Sequence, residues 1–403
     1  MTTFTPASAS EVLDTVAWAA AEEVPLEIVG HGTKRRIGRP VQTEHALHLS
    51  KLAGVTLYEP EELVLAARAG TPLAEIEALL EENGQQLAFE PMDCGPLFGS
   101  EPGRGTIGGV LSANLAGPRR LKAGSARDHI LGVDAVSGRG EAFKSGGRVV
   151  KNVTGYDLSK GMAGSWGTLA VVTDMTFKVL PRAEAETTLL LHGLMDEQAA
   201  TVMAAAMGSS AEVSSAAHLP EGVAGTVAGG ALGSEAATLL RVEGFGPSVE
   251  ARVETLKTLL RDAPEIGLLD GGKSRAVWRD VRDCRPFADG TEKPVWRISV
   301  PPSAGHEVAL AIRRHSPATV FYDWQGGLVW MRIEAEDEAE IVREVVRRHG
   351  GGHATLLRAP PAVRAAVPVF QPQAPALAAL SARLRAEFDP KSILNPGRMY
   401  AVQ

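Results

Sequence analysis

Two glycine-rich stretches of this sequence have the residue types of an anion site. In PLEIVGHGTKRRIG an apolar run ends at Gly30, and His31, Gly32, Thr33 and Lys34 follow at once. Without a Cβ on the glycines, successive main-chain N–H groups can turn inward as a nest around a diphosphate, while Thr33 and Lys34 add a hydroxyl and an ammonium donor. The same residues also read as a surface turn with Lys34, Arg35 and Arg36 in solvent. The second stretch, EPGRGTIGGVLSANLAGPRR, holds a literal GxGxxG in Gly103, Gly105 and Gly108. A Rossmann fingerprint of that form needs a hydrophobic strand directly before its first glycine, to aim the following helix at the pyrophosphate. The preceding EPMDCGPLFGSEP is rich in Pro and Gly instead, and an acidic residue about twenty positions on, Asp128, is matched easily by chance. That context argues against the Rossmann reading. Glycines beside Thr106, Ser112 and Asn114 still suit a segment that lines a flat ligand with backbone N–H groups.

Metal and cluster chemistry find little support. The ten histidines include no HExxH, and His45 and His48 of HALHLS fall in an expected strand, where they point to opposite faces. No metal site is expected. The two cysteines, Cys94 and Cys284, lie far apart without CxxC spacing, so the chain has too few thiolates for its own iron–sulfur cluster and no disulfide framework. A net charge of −7 argues against a nucleic-acid footprint. The start, MTTFTPASASEVLD, lacks the basic and apolar regions of a signal peptide, and no run of about 18 apolar residues could span a bilayer. A cytoplasmic protein is expected, with any membrane association made through partners.

The elements that must carry these residues are legible in outline. With 403 residues, 44% hydrophobic and 22% charged, the chain is an ordinary globular protein of about two domains. SASEVLDTVAWAAAEE opens with a capping-box pattern, Ser8 and Glu11, and continues as an amphipathic helix into the strand PLEIVG. EELVLAARAG reads as a buried strand, and TPLAEIEALLEENG as a helix capped by Thr71, with Pro72 in its first turn and Gly84 closing it. GVDAVSGRGEAF reads as a hairpin, and GTLAVVTDMTFKVLP as a β-rich run ended by Pro181. Residues 198–237 are rich in Ala, Gly and Ser, which predicts a less tightly specified second domain. Helices SVEARVETLKTLLRDAP and EDEAEIVREVVRRHG between strands PVWRISVP and GGLVWMRIE predict an antiparallel sheet covered by helices. The fold class is α+β, with no repeat of fixed period.

The order of motifs carries a resemblance. TPLAEIEALL, TIGG, AGPRR with GSARDHILG, KNVTGYDLSK, GSWGTL and NPGRMY together resemble the FAD-binding fold of the vanillyl-alcohol oxidase and p-cresol methylhydroxylase (PCMH) type, and within it the E-subunit family of bacterial glycolate oxidases. The resemblance implies a two-subdomain FAD-binding domain over residues 1–182, a cap over 183–350, and a segment 351–403 returning to the flavin. It places Gly30, His31, Gly32, Thr33 and Lys34 at the pyrophosphate. Thr106, Ile107, Gly108, Gly109, Ser112 and Asn114 would line the flavin and ribityl chain, and Gly117, Gly124, Ser125, Arg127 and Asp128 would continue that wall. Gly164, Gly167, Thr168 and Val172 would bound the adenosine, and Asn395 would close on the flavin. Members that bind flavin covalently often have the linking His where Thr33 stands, so noncovalent FAD is implied.

The family's chemistry is oxidation of a 2-hydroxy acid, glycolate to glyoxylate, which needs a cation for the carboxylate and a base for the hydroxyl proton. Arg297 in PVWRISVP and His353 in GGHATLLRAP are the candidates, though each also reads as a structural or solvent-facing residue. The His-rich metal-associated motif of the catalytic D-type subunit is missing. The resemblance therefore implies an accessory flavoprotein beside a FAD-containing D-type subunit and an iron–sulfur F-type subunit, reaching the inner face of the cell membrane only through that complex.

Overall fold

The computed structural model describes residues 2–149, 155–263 and 266–401. Residues 151–154 of the KNVTGYDLSK motif lie outside them. The N-terminal part begins with a parallel three-stranded sheet in the order Thr2–Phe4, His45–His48, Leu26–Val29. Helix Ala9–Glu22 buries Val12, Val16, Ala19 and Ala20, one face at helical spacing. Ser8 Oγ accepts the Glu11 N–H at 3.2 Å as expected, while the Glu11 carboxylate returns to the Ala7 N–H at 2.9 Å instead of to Ser8.

A five-stranded antiparallel sheet forms the second subdomain, in the order Val55–Glu59, Val64–Arg68, Ala170–Lys178, Ile130–Ser137, Ala142–Gly146. The last two are the expected hairpin. Helix Leu73–Glu82 packs Ile76 and Leu80 inward, but its N-cap is Pro72. Thr71 is completely buried, and its hydroxyl bridges Arg68 O at 2.7 Å and Gly54 N at 2.9 Å, which satisfies a buried loop in preference to the helix end. Pro181 does not close the β run. It pairs with Gln85 in a two-stranded ladder, an edge position where its missing N–H costs nothing. One apolar core, from Val12 to Leu394, joins both subdomains.

The cap is an eight-stranded antiparallel sheet ordered Ile266–Asp270, Ala185–His192, Ala237–Gly244, Ser215–Leu219, Ala318–Asp323, Leu328–Ile333, Val295–Ser299, His353–Arg358. It holds a repeat that sequence periodicity does not show. Each half is a strand–helix–strand–strand–helix–strand unit, with spatial order fourth, first, third, second. The halves meet through their second strands, where His218 pairs with Tyr322.

Helices cover one face of this sheet. Met203, Val253 and Leu256 lie over Leu189, Leu191, Leu240 and Val242. The Ala/Gly/Ser-rich stretch is not loosely specified: Ala199, Ala206, Ala211, Ala216 and Ala217 are all completely buried. Small side chains there let helix and sheet approach closely, so their presence reports tight packing.

The other face of the cap sheet meets the N-terminal domain. Glu90 accepts both Arg241 Nη1 and Nη2 at 2.8 Å, and Arg119 of the AGPRR motif binds Glu243 while its N–H reaches Glu90 at 3.0 Å. Trp324 Nε1 donates to Gly117 O at 3.0 Å, and Arg358 donates to Leu97 O. Past the outer strand, helix Pro375–Phe388 leads the chain back to the parallel sheet, where Leu394 bridges Leu26.

Candidate functional site

A cleft lies between the two N-terminal subdomains, walled by residues from six separate segments. Strand Leu26–Val29 delivers the loop 30–34 to its mouth. Gly32 has φ +83°, a left-handed conformation that Cβ-bearing residues avoid. Gly30 packs against Thr106 so closely that a Cβ there would lie 2.5 Å from Thr106 Oγ1. Thr106 in turn caps helix Ile107–Ala113, accepting the Gly109 N–H at 3.2 Å. Among the described residues, the N–H groups of His31, Gly32, Thr33 and Lys34 have no protein acceptor.

Twelve of the residues expected from sequence share this wall: Gly30, His31, Gly32, Thr33, Lys34, Thr106, Gly108, Gly109, Ser112, Gly167, Val172 and Asn395. Asn395 joins the tail to the cleft, its Oδ1 accepting the Ile28 N–H and its Nδ2 donating to Trp166 O, both at 2.8 Å. The others stand behind it. Ile107 is a core residue. Asn114 ends the helix in a left-handed conformation and accepts the Arg127 N–H at 3.2 Å, with Gly164 beside it. Gly117 abuts the Glu90 backbone. Gly124 precedes a turn in which Asp128 accepts both the N–H and hydroxyl of Ser125, which spends that carboxylate on local structure. The Thr168 hydroxyl donates to Ser165 O, and its side chain faces the neighbouring cleft.

Arg297 and His353 fall on one face of the cap sheet, because Arg297 pairs with Thr355 and Ser299 with His353 on adjacent strands. The Arg297 guanidinium lies 4.8 Å from the Trp324 ring centre and 5.9 Å from that of Trp330, with no hydrogen-bonded carboxylate among the described residues. Burial pushes it down to about 10, so it stays charged at neutral pH. His353 is exposed at the start of the outer strand. On the same face sits Asp323, 1% exposed, whose carboxyl burial pushes up to about 7. Sequence reasoning did not find Asp323, nor Trp166 and Arg398, which line the cleft. For Arg398 the signal was present in NPGRMY, but only the fold shows that this tail reaches the loop.

The residues suit a dinucleotide. Among the described residues the N–H groups of the loop and the buried Arg398 Nε have no acceptor, and Gly30 and Gly108 leave no room for a side chain. Among the described residues no group of three or more His, Cys, Asp or Glu is arranged for a metal, and no helix is long and apolar enough to cross a membrane. Fold and cleft together define a flavoprotein of the PCMH type: the family described as a FAD binding domain matches residues 2–146. A crystal structure of p-cresol methylhydroxylase with substrate bound superposes with a TM-score of 0.71 at 13% identity, covering 99% of this chain and 88% of that one. Glycolate oxidase subunit GlcE of Escherichia coli (strain K12) is 35% identical over 395 residues, 97% of each chain. Glycolate oxidase subunit GlcD of Bacillus subtilis (strain 168) is 26% identical over 98% of this chain and 88% of its own. The chain belongs to the family of the glycolate oxidase subunit GlcE, and it is a FAD-dependent oxidoreductase subunit.

Proposed function

We propose that this chain holds FAD noncovalently as the accessory, electron-relaying subunit of a glycolate oxidase complex, in which a D-type subunit oxidises glycolate to glyoxylate and an iron–sulfur F-type subunit carries electrons onward. The observation that carries the reading is similarity along 97% of a GlcE chain, combined with a cleft lined by loop N–H groups that have no acceptor among the described residues. Residues 1–182 serve as the FAD domain, 183–350 as the cap and 351–403 as the returning segment. The bound flavin supplies acceptance of a hydride equivalent and release of electrons. The loop 30–34 holds the diphosphate, and Thr33 has no imidazole to attack the ring. Gly117, Gly124, Ser125, Arg127 and Asp128 support the wall from behind. Arg297 meets an anionic group admitted between the domains, with His353 at the rim of the same face. Two thiols are too few for a cluster, so electrons leave to a partner. The complex works in the cytoplasm and meets the membrane only through its partners.

The test is to express the chain alone, record its visible spectrum, and add glycolate and D-lactate anaerobically, then repeat with the D-type subunit co-purified. A yellow protein that releases intact FAD on denaturation, and bleaches only with the partner, supports the reading. Bleaching by glycolate in the isolated chain would make it a dehydrogenase in its own right. A colourless protein that FAD cannot reconstitute would make it structural.

A further inference from the structure

Arg398 is 6% exposed and stands at the end of the cleft, 5.6 Å from the Trp166 ring centre. Its Nη2 donates to Lys34 O at 2.7 Å, in the loop itself, while among the described residues its Nε is sealed without an acceptor. Buried charges are normally paired. The carboxylate nearest to that role, Glu27, is engaged by Arg35 through Nε at 2.8 Å and a second bond. Arg364, 5% exposed, spends its donors on Ala359 O and Gly38 O. Among the described residues, Arg398 thus feels two further guanidiniums, Arg364 and Arg35, and one carboxylate, Glu27. Burial pushes Arg398 down to about 10, with Arg364 and Arg35 adding to the effect and Glu27 opposing it. A fixed positive excess of this kind, beside loop N–H groups that have no acceptor among the described residues, is complementary to a dianion.

Arg398 reaches the loop only because the tail is stitched beside the strand that carries it. Leu26 N donates to Ile393 O at 2.7 Å, Asn395 N to Leu26 O at 2.9 Å, and Arg39 N to Arg398 O at 2.9 Å. The preceding helix Pro375–Phe388 buries none of its residues, and it is held at its last turn, where Arg139 Nε donates to Glu387 O at 2.7 Å and Phe388 lies 5.6 Å from the Phe143 ring centre. We propose that the C-terminal segment is a latch closed by the cofactor, in which Arg398 clamps the diphosphate of the dinucleotide against the loop 30–34, so that binding the dinucleotide and docking the tail are one event. This rests on the FAD reading above and assigns the tail a role within it.

The test uses full-length protein with FAD removed, and follows binding of FAD, ADP and riboflavin together with trypsin cleavage between residues 375 and 398. Arg398→Gln is expected to weaken FAD and ADP by about 10- to 100-fold, the range of a charge-assisted hydrogen bond. Riboflavin, which has no phosphate, should change less than about threefold. Arg398→Lys should recover part of the loss, and raised salt should weaken FAD less in Arg398→Gln than in the unaltered protein. FAD should protect the tail from trypsin in the unaltered protein but not in Arg398→Gln. Arg385→Gln, in the neighbouring cleft, should behave as the unaltered protein. Circular dichroism of the FAD-free variants separates lost binding from lost folding. If Arg398→Gln binds FAD and ADP within twofold of the unaltered protein, or FAD leaves the tail equally cleavable, the latch is wrong while the FAD reading stands. If the unaltered protein binds no FAD, both fall.

Discussion

Replacing Asp323 by Asn should stabilise this protein, and by an amount that grows with pH. Asp323 ends a central cap strand, 1% exposed, with one carboxylate oxygen accepting the Trp324 N–H at 2.7 Å. Burial is the main reason its carboxyl rises to about 7, and Glu90 adds to it, while the Trp324 N–H, Arg241 and Arg297 pull the other way. An unfolded Asp titrates at about 3.9. Between about pH 4 and pH 7 the folded chain therefore keeps a proton that the unfolded chain has lost, and stability falls as pH rises. Integrated to pH 8, ionising this carboxyl costs about 4 kcal/mol. The amide keeps the acceptor for Trp324 but adds an N–H2 group that needs a partner, a loss of about 1 kcal/mol. A net gain of about 3 kcal/mol corresponds to a melting temperature about 3 °C higher for a chain of this length. The assay is thermal melting of unaltered and Asp323→Asn protein, both loaded with FAD, from pH 4.5 to 8.5. The gap should be near zero or slightly negative at pH 4.5, widen to pH 7 and then level off. A variant less stable than the unaltered protein at pH 8, or a gap that does not vary with pH, would refute the reasoning.

Other outcomes follow from single contacts. Gly30→Ala puts a methyl 2.5 Å from Thr106 Oγ1 and should lower FAD affinity at least about tenfold, with the FAD-free melting temperature moved by no more than a few degrees. Glu90→Gln leaves buried Arg241 with Ser215 Oγ as a hydrogen-bond partner and Glu243, at 3.5 Å, as its remaining ion pair among the described residues, and should cost about 3 kcal/mol in urea unfolding; a loss below about 0.5 kcal/mol would mean the interdomain network contributes nothing. Both cysteines are buried free thiols, and burial holds Cys94 up at about 11. Ellman's reagent at pH 8 should find no fast-reacting thiol in native protein and two after denaturation.

Local chemistry made much of the first domain readable. The strand before Gly30, the Ser8 cap, the hairpin around Gly138–Gly140 and the helix behind Pro72 all depend on neighbours a few residues away. The absence of a strand before Gly103 argued against the Rossmann reading for the same reason. Where the outcome depended on distant partners, local signals gave the wrong detail. Thr71 capped nothing, because buried loop backbone 17 residues away claimed its hydroxyl. Alanines that looked underspecified turned out to be tightly packed, since composition does not record how near another layer lies.

The sequence by itself determined that an early loop could grip an anion, that the chain could not ligate a cluster of its own, and that its cap would be an antiparallel sheet with helices. These follow from residue type and spacing alone. Only the tertiary structure decided that the cap is two copies of one topology joined at His218 and Tyr322, and that Asp323 lies sealed on the same sheet face as Arg297. It also decided that Arg398, 364 positions after Lys34, ends within 2.7 Å of it. Topology and burial are set by which segments share a core, and that depends on contacts summed over the whole chain, which no short window contains.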